Sequence, residues 1–257
     1  MPKQNKITMF TYSNGEENKR RKEFVQLMKD CPIPQNELLL NLGLFLTPQT
    51  LSRVLFMDYL YKQILEVQGI IVEFGCRWGQ NLSLFSALRG IYEPFNRLRN
   101  IVGFDTFTGL HATTDLDGKN MMEGAYSVTP DYQGYLAKVL SFQELESPQA
   151  HIKKHEIIKG DASKEISRYL KRNPETIISL AFFDMDIYKP TYECLTKIKP
   201  YLTRGSVIGF DELNDHACPG ETLALRKALG LSQFPIRRYP FNSRTSYIVI
   251  DKPMAEE

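Results

Sequence analysis

The sequence predicts an α/β fold, a mostly parallel sheet that ends in an antiparallel hairpin and is preceded by a helical prefix. Three observations carry this. From Gly69 onward, β-rich apolar runs alternate with segments of helical period. The tail "PIRRYPFNSRTSYIVID" holds two strand-like runs with only a short polar turn between them. Before the first strand, "LTPQTLSRVLFMDYLYKQILE", Leu46 to Glu66, repeats apolar residues at helical spacing.

The strands follow in order: Gly69 to Phe74, Ile101 to Phe107, His155 to Lys159, Ile177 to Phe183 and Ser206 to Phe210. Helices are expected at Gln80 to Ile91, Ala162 to Arg172, Pro190 to Leu202 and Glu221 to Leu229. In the first of these Leu82, Phe85, Leu88 and Ile91 make a core stripe. Strand, helix, strand in series requires right-handed crossovers, and the ligand then sits beyond the carboxyl ends of the strands. The closing hairpin, Pro235 to Phe241 and Ser246 to Asp251, turns at Asn242-Ser243-Arg244. Five parallel strands and then a hairpin is the order of the Rossmann-like class I methyltransferase sheet, whereas a dinucleotide-binding dehydrogenase would end on another βα unit. In the prefix, residues 1–68, Pro48 starts a helix whose expected apolar side is Val54, Met57, Tyr61, Ile64 and Leu65. The catalytic domain then spans 69–257, with a polar insertion at Leu110 to Gly134 that reads as a lid or binding loop.

The chain has 257 residues, 42% of them apolar, enough for a substantial core. Charges nearly cancel at +2, and the one basic cluster, Lys19 to Lys22, is diluted by Glu16, Glu17 and Glu23, so nucleic acid is not expected as a partner. No stretch of 18 apolar residues occurs, the first residues lack the apolar core of a secretory signal, and no membrane association is expected. Cys31, Cys76, Cys194 and Cys218 show no metal or disulfide spacing and read as free thiols. Together these predict a soluble cytoplasmic protein.

"IIVEFGCRWGQN" sets Glu73, Gly75 and Gly79 at the first strand-to-helix turn, where glycines allow a ligand to approach backbone and a helix start offers free N–H groups. Arg77 stands where a dinucleotide fingerprint would have its second glycine, which argues against NAD. Asp105, 32 residues beyond Glu73, ends the next strand and can accept from ribose hydroxyls. Gly160-Asp161-Ala162 ends the third and can edge an adenine, although Asp161 can equally cap the following helix. The fourth and fifth strands end in Asp184-Met185-Asp186 and Asp211-Glu212. Four acids at neighbouring strand ends cannot all ionise without a cation, and oxygen-only donors select a hard ion, Mg²⁺ or Ca²⁺. The plain alternative is a set of solvated strand-end carboxylates.

"VEFGCRWG", "FDTFTG", "FDMDIYKPTYECL" and "GSVIGFDE" together resemble the metal-dependent S-adenosylmethionine sugar O-methyltransferases of antibiotic biosynthesis, the macrocin and mycinamicin type. The resemblance spans about Gly69 to Leu229 and is nearest to the calicheamicin-pathway branch, which acts on a deoxysugar of the rhamnose type. It implies S-adenosylmethionine bound along Glu73, Gly75, Arg77, Gly79, Asp105, Gly160, Asp161, Ala162 and Asp184. It further implies Mg²⁺ or a similar ion on Asp184, Asp211 and Glu212, Asp186 as the base, and a homo-oligomer. Met185 and Glu212 depart from the Asp-Gly-Asp and Asp-Asp of the family, which leaves Glu212 the least secure ligand. His111 and His216 are further candidates for the base. Such parts suit a sugar hydroxyl, whose proton must be loosened before it attacks a sulfonium methyl. Rival readings are a catechol-type O-methyltransferase, an NAD-dependent dehydrogenase and a non-catalytic cofactor-binding module.

Overall fold

The computed structural model describes residues 11–252. Helix α1, Gly15–Lys29, opens with a capping box: the Asn14 side chain accepts from the Glu17 N–H while the Glu17 carboxylate accepts from the Asn14 N–H. It buries none of its residues, and neither does the 3-10 helix Leu38–Phe45 that follows. Helix α2, Pro48–Gln63, is capped by Thr47, which accepts from the Thr50 N–H. Its inward face is Ser52, Phe56, Met57, Leu60 and Tyr61. Of the expected apolar side, Met57, Tyr61 and Ile64 are buried, but Val54 is only half-buried and Leu65 is exposed. The rotation follows from Phe56, whose ring meets Phe182 in the sheet at 6.3 Å and Tyr239 at 4.9 Å.

Five parallel strands, β1 (Ile70–Phe74), β2 (Ile101–Asp105), β3 (His155–Lys159), β4 (Ile178–Phe183) and β5 (Leu202–Phe210), are joined by antiparallel β6 (Arg237–Arg238) and β7 (Ser246–Val249). Their order is β3-β2-β1-β4-β5-β7-β6, so the winding reverses between β1 and β4 and opens a crevice there. β1 and β4 are buried along their whole length, which is why both read as continuous apolar runs rather than alternating ones. β6 is shorter than the run Pro235 to Phe241, because Pro235 and Pro240 have no N–H for a ladder. β5 begins at Leu202, earlier than expected.

Helices α3 (Gln80–Tyr92), α5 (Ala162–Arg172), α6 (Tyr188–Ile198) and α7 (Gly220–Ala228) cover the sheet close to their expected ranges. Between them lies α4, Tyr132–Leu145, which the sequence pattern does not mark: it buries only Leu136, Leu140 and Glu144. The rings of Phe74, Phe104, Phe183 and Phe210 stand side by side near the carboxyl ends of four strands, with centroids 4.8–5.5 Å apart.

The amino ends are tied by charge. Buried Arg99 donates to the carbonyls of Ile64, Val67 and Gly69, to Ser179 Oγ and to Glu93. Buried Arg89 donates to the carbonyl of Lys154 and to Glu144, which also meets His155 Nδ1 at 3.1 Å. All four cysteines are free thiols. Among the described residues no single helix is long and apolar enough to cross a membrane.

Candidate active site

Asp184 and Asp211 are the first residues past β4 and β5, whose last residues, Phe183 and Phe210, are register partners. Each is pinned by the ladder: the Asp184 N–H donates to the Phe74 carbonyl at 2.9 Å and the Asp211 N–H to that of Phe183 at 3.0 Å. Adjacent strands lie about 4.8 Å apart, so the two carboxylates are neighbours by construction. They meet on one cation, Arg53 of α2: Nη1 donates to Asp184 Oδ2 at 3.0 Å and Nη2 to Asp211 Oδ1 at 2.5 Å. Asp186, two residues on, has positive φ and is surrounded by Asp211, Arg244, Arg77 and Arg53. Burial and then the Asp211 charge raise both Asp184 and Asp186 to about 7, against the pull of Arg53 on Asp184 and of Arg244, Arg77 and Arg53 on Asp186.

Beside these acids opens a cleft of about 760 Å³. Its floor is the β1–α3 turn. Gly75 is required there: with φ +85°, any β-carbon would lie 2.0 Å from the Asp184 carbonyl oxygen. Asp105 braces the turn, its two oxygens accepting from the N–H groups of Arg77 at 2.7 Å and Phe107 at 2.5 Å. The Arg77 guanidinium lies over the rings of Trp78 and of Tyr126 from the insertion, at 5.6 and 5.2 Å. Gly160, Asp161 and Ala162 border the cleft too, and Asp161 caps α5 by accepting from the Ser163 N–H at 3.0 Å.

Not every expected residue reaches this space. Glu73 is buried beneath the turn, accepts from the Asn81 amide at 2.7 Å, and is pushed up to about 8 chiefly by burial. Gly79, in left-handed conformation, sits against the Leu136 side chain of α4. Neither lines the cleft. His111 does, at its rim, 3.5 Å from Glu123. His216 is 93% exposed and lies outside the lining. Glu212, expected beside Asp184 and Asp211, does not line the cleft: it is 1% exposed and paired with Arg244, which also contacts Asp215 at 3.3 Å. The reason is its partner: past the end of β5 the buried carboxylate pairs with the Arg244 guanidinium rather than joining the other acids.

Four residues that the sequence reading passed over organise the site: Arg53, Arg244, Asp117 and Glu221. Arg53 lies one turn before Met57 and two before Leu60 on the inward stripe of α2, and a charge on a buried stripe is the signal that marks it. Helix α6 begins after Ile187, which cannot cap it. The acceptor comes instead from the insertion, where fully buried Asp117 takes the Tyr188 N–H and, through its other oxygen, the Thr114 N–H and hydroxyl. Buried Glu221 of α7 likewise accepts from the Met185 N–H at 3.1 Å, bracing the Asp184–Asp186 turn from behind.

A divalent cation fits the donors in chemistry: Asp184, Asp186 and Asp211 offer oxygen only, and one guanidinium in direct contact does not balance three carboxylates. Glu212 falls outside that set. Among the described residues Glu212, Asp215 and Cys218 bring ligand atoms within 4.8 Å of one another, but there Arg244 and the Tyr12 hydroxyl already engage the two acids.

No protein-family model and no curated protein matches the chain. Among solved structures, CalS11, a calicheamicin methyltransferase, is 42% identical over 95% of this chain and 96% of its own, with a TM-score of 0.90. The apo structure of CalS11, described as a TDP-rhamnose 3'-O-methyltransferase of calicheamicin biosynthesis, is 41% identical over 93% and 96%, with a TM-score of 0.83. The O-methyltransferase NovP, at 14% identity, 78% and 80% coverage and a TM-score of 0.59, shares the fold. With the sheet order, the glycine turn beside the strand-end acids and this identity along nearly the whole length, the chain belongs to the S-adenosylmethionine-dependent O-methyltransferase family that includes CalS11.

Proposed function

We propose that the protein methylates a hydroxyl of a deoxysugar, TDP-rhamnose or a close nucleotide-sugar analogue, in the biosynthesis of a natural product. The observation that supports this most is the convergence of Asp184 and Asp211, with Asp186 beside them, in one cleft with the β1–α3 turn. The donor would run along Gly75, Arg77, Asp105 and Gly160 to Ala162, its sulfonium directed toward the acids. Asp184 and Asp211 would hold Mg²⁺, which lowers the pKa of coordinated hydroxyls and fixes their direction. Asp186, beside those acids in the cleft, takes the proton of the attacking hydroxyl, a step typically worth about 10²–10⁴-fold. The methyl then passes in line from sulfur to oxygen, a transfer for which alignment does most of the work. The insertion, whose Tyr126 lies over Arg77, shields the cleft from water.

Incubation with S-adenosylmethionine and a panel of nucleotide sugars and glycosylated natural products, read by mass gain of one methyl, tests this. TDP-rhamnose should gain the methyl, chelator should stop the reaction and Mg²⁺ restore it. Transfer to no sugar overturns the reading, while transfer indifferent to chelator removes the metal alone. The same reading puts the enzyme in the cytoplasm as a homo-oligomer. Leu39 and Leu40, 79% and 87% exposed, with Leu42, Leu44, Leu27 and Met28, make an apolar surface on the prefix suited to a second copy. Light scattering would report the assembly, and Leu40→Glu should dissociate it.

A further inference from the structure

Arg53 occupies an unusual position for a residue of the prefix. Its fork takes Asp184 Oδ2 and Asp211 Oδ1, one oxygen from each of the acids proposed as metal ligands. The backbones of those acids cannot withdraw, being held in the sheet ladders by their N–H groups. Arg53 can: its side chain is 28% exposed and borders the open cleft, so it can leave without uncovering the core. Arg244 differs, being held by Glu212 and Asp215, which are both buried. A divalent ion and a guanidinium cannot both sit between the same two oxygens.

We infer that Arg53 is the resident counter-cation of this site and must swing off Asp184 and Asp211 for a divalent ion to bind, making metal occupancy and the position of the α2 side chain mutually exclusive. This rests on the proposed Mg²⁺ reading. The metal-free seat keeps one counter-charge, and the apparent metal affinity is reduced by the fraction of molecules in which Arg53 holds the acids. By linkage, whatever fixes Arg53 weakens metal binding, and metal in turn releases Arg53.

Mn²⁺ titration of the full chain without donor or acceptor, with free Mn²⁺ counted by paramagnetic resonance, tests the exchange without recourse to turnover. Arg53→Gln should bind Mn²⁺ about tenfold or more tightly than the wild type. In the wild type, Mn²⁺ should speed hydrogen exchange in the first turns of α2; in Arg53→Gln it should leave them unchanged. Equal or weaker binding by Arg53→Gln overturns the inference while leaving the metal site standing. Absence of Mn²⁺ binding from both proteins overturns the metal reading and the inference together. Calorimetric binding of S-adenosylhomocysteine checks the fold of the variant. Should Arg53→Gln not fold, Arg53→Lys keeps the charge without the fork and should bind Mn²⁺ about threefold more tightly; an unchanged affinity would again overturn the exchange.

Discussion

The two ends of the sheet handle buried charge in opposite ways. At the amino ends, Arg99 spends its donors on three carbonyls, a hydroxyl and Glu93, and Arg89 and His155 share Glu144. At the carboxyl ends, Asp184 and Asp211 share one directly bound guanidinium with Asp186 beside them, and Asp184 and Asp186 stay near 7. Saturated partners make a fastening, because no group there gains from a new ligand. Unsaturated ones make a site, since an incoming cation or hydroxyl lowers the energy of groups already held in place. The same residue types thus serve structure or chemistry according to how many of their bonds are filled.

Substitutions at each end should separate these roles, and the largest effect belongs to the unsaturated end. Asp186→Asn should lower kcat by about 10²–10⁴-fold. Its S-adenosylhomocysteine affinity, measured by calorimetry, should change little; loss of binding instead would make Asp186 a cofactor residue. At the saturated end Arg99→Met should cost about 3–5 kcal/mol in urea unfolding by taking the counter-charge from Glu93 and the donor from the carbonyls of Val67 and Gly69. Turnover per folded molecule should survive it.

Glu73 lies between the two regimes, and pH exposes it. Its folded pKa of about 8 stands well above an ordinary carboxyl near ~4.3. Between those values the folded chain keeps a proton that the unfolded chain releases, so wild-type stability falls as pH rises through the window and is undiminished below it. Glu73→Gln cannot ionise, and its advantage over wild type should grow from near zero around pH 5 to on the order of a few kcal/mol around pH 8. A difference flat with pH would mean that Glu73 ionises freely. Smallest of all, His216→Ala should leave kcat/KM within about twofold, as for a surface side chain remote from the cleft.

What was legible in the sequence was whatever depends on neighbours along the chain. Continuous apolar runs gave β1 and β4, and helical spacing gave α3, α5 and α7, because period and burial are local consequences of backbone geometry. Strand ends likewise gave Asp105, Asp184 and Asp186 as acids bordering the crevice. What escaped depends on partners far away. Arg53 lies 131 residues from Asp184 and 158 from Asp211, and Asp117 lies 71 from Tyr188. Glu212 escaped differently: it stands next to Asp211, yet its side chain pairs with Arg244, and adjacency in sequence does not show that partner. Helix α4 stayed hidden because three buried positions carry too faint a stripe.

Asp117 bears on any attempt to exchange the insertion for another. The insertion, part of which lines the cleft, supplies the missing cap of α6, so the two are stitched together rather than merely adjacent. A transplanted loop from a relative would have to bring an acid in register with position 117, or leave the first turn of α6 bare and unravel the ground on which Asp186 stands.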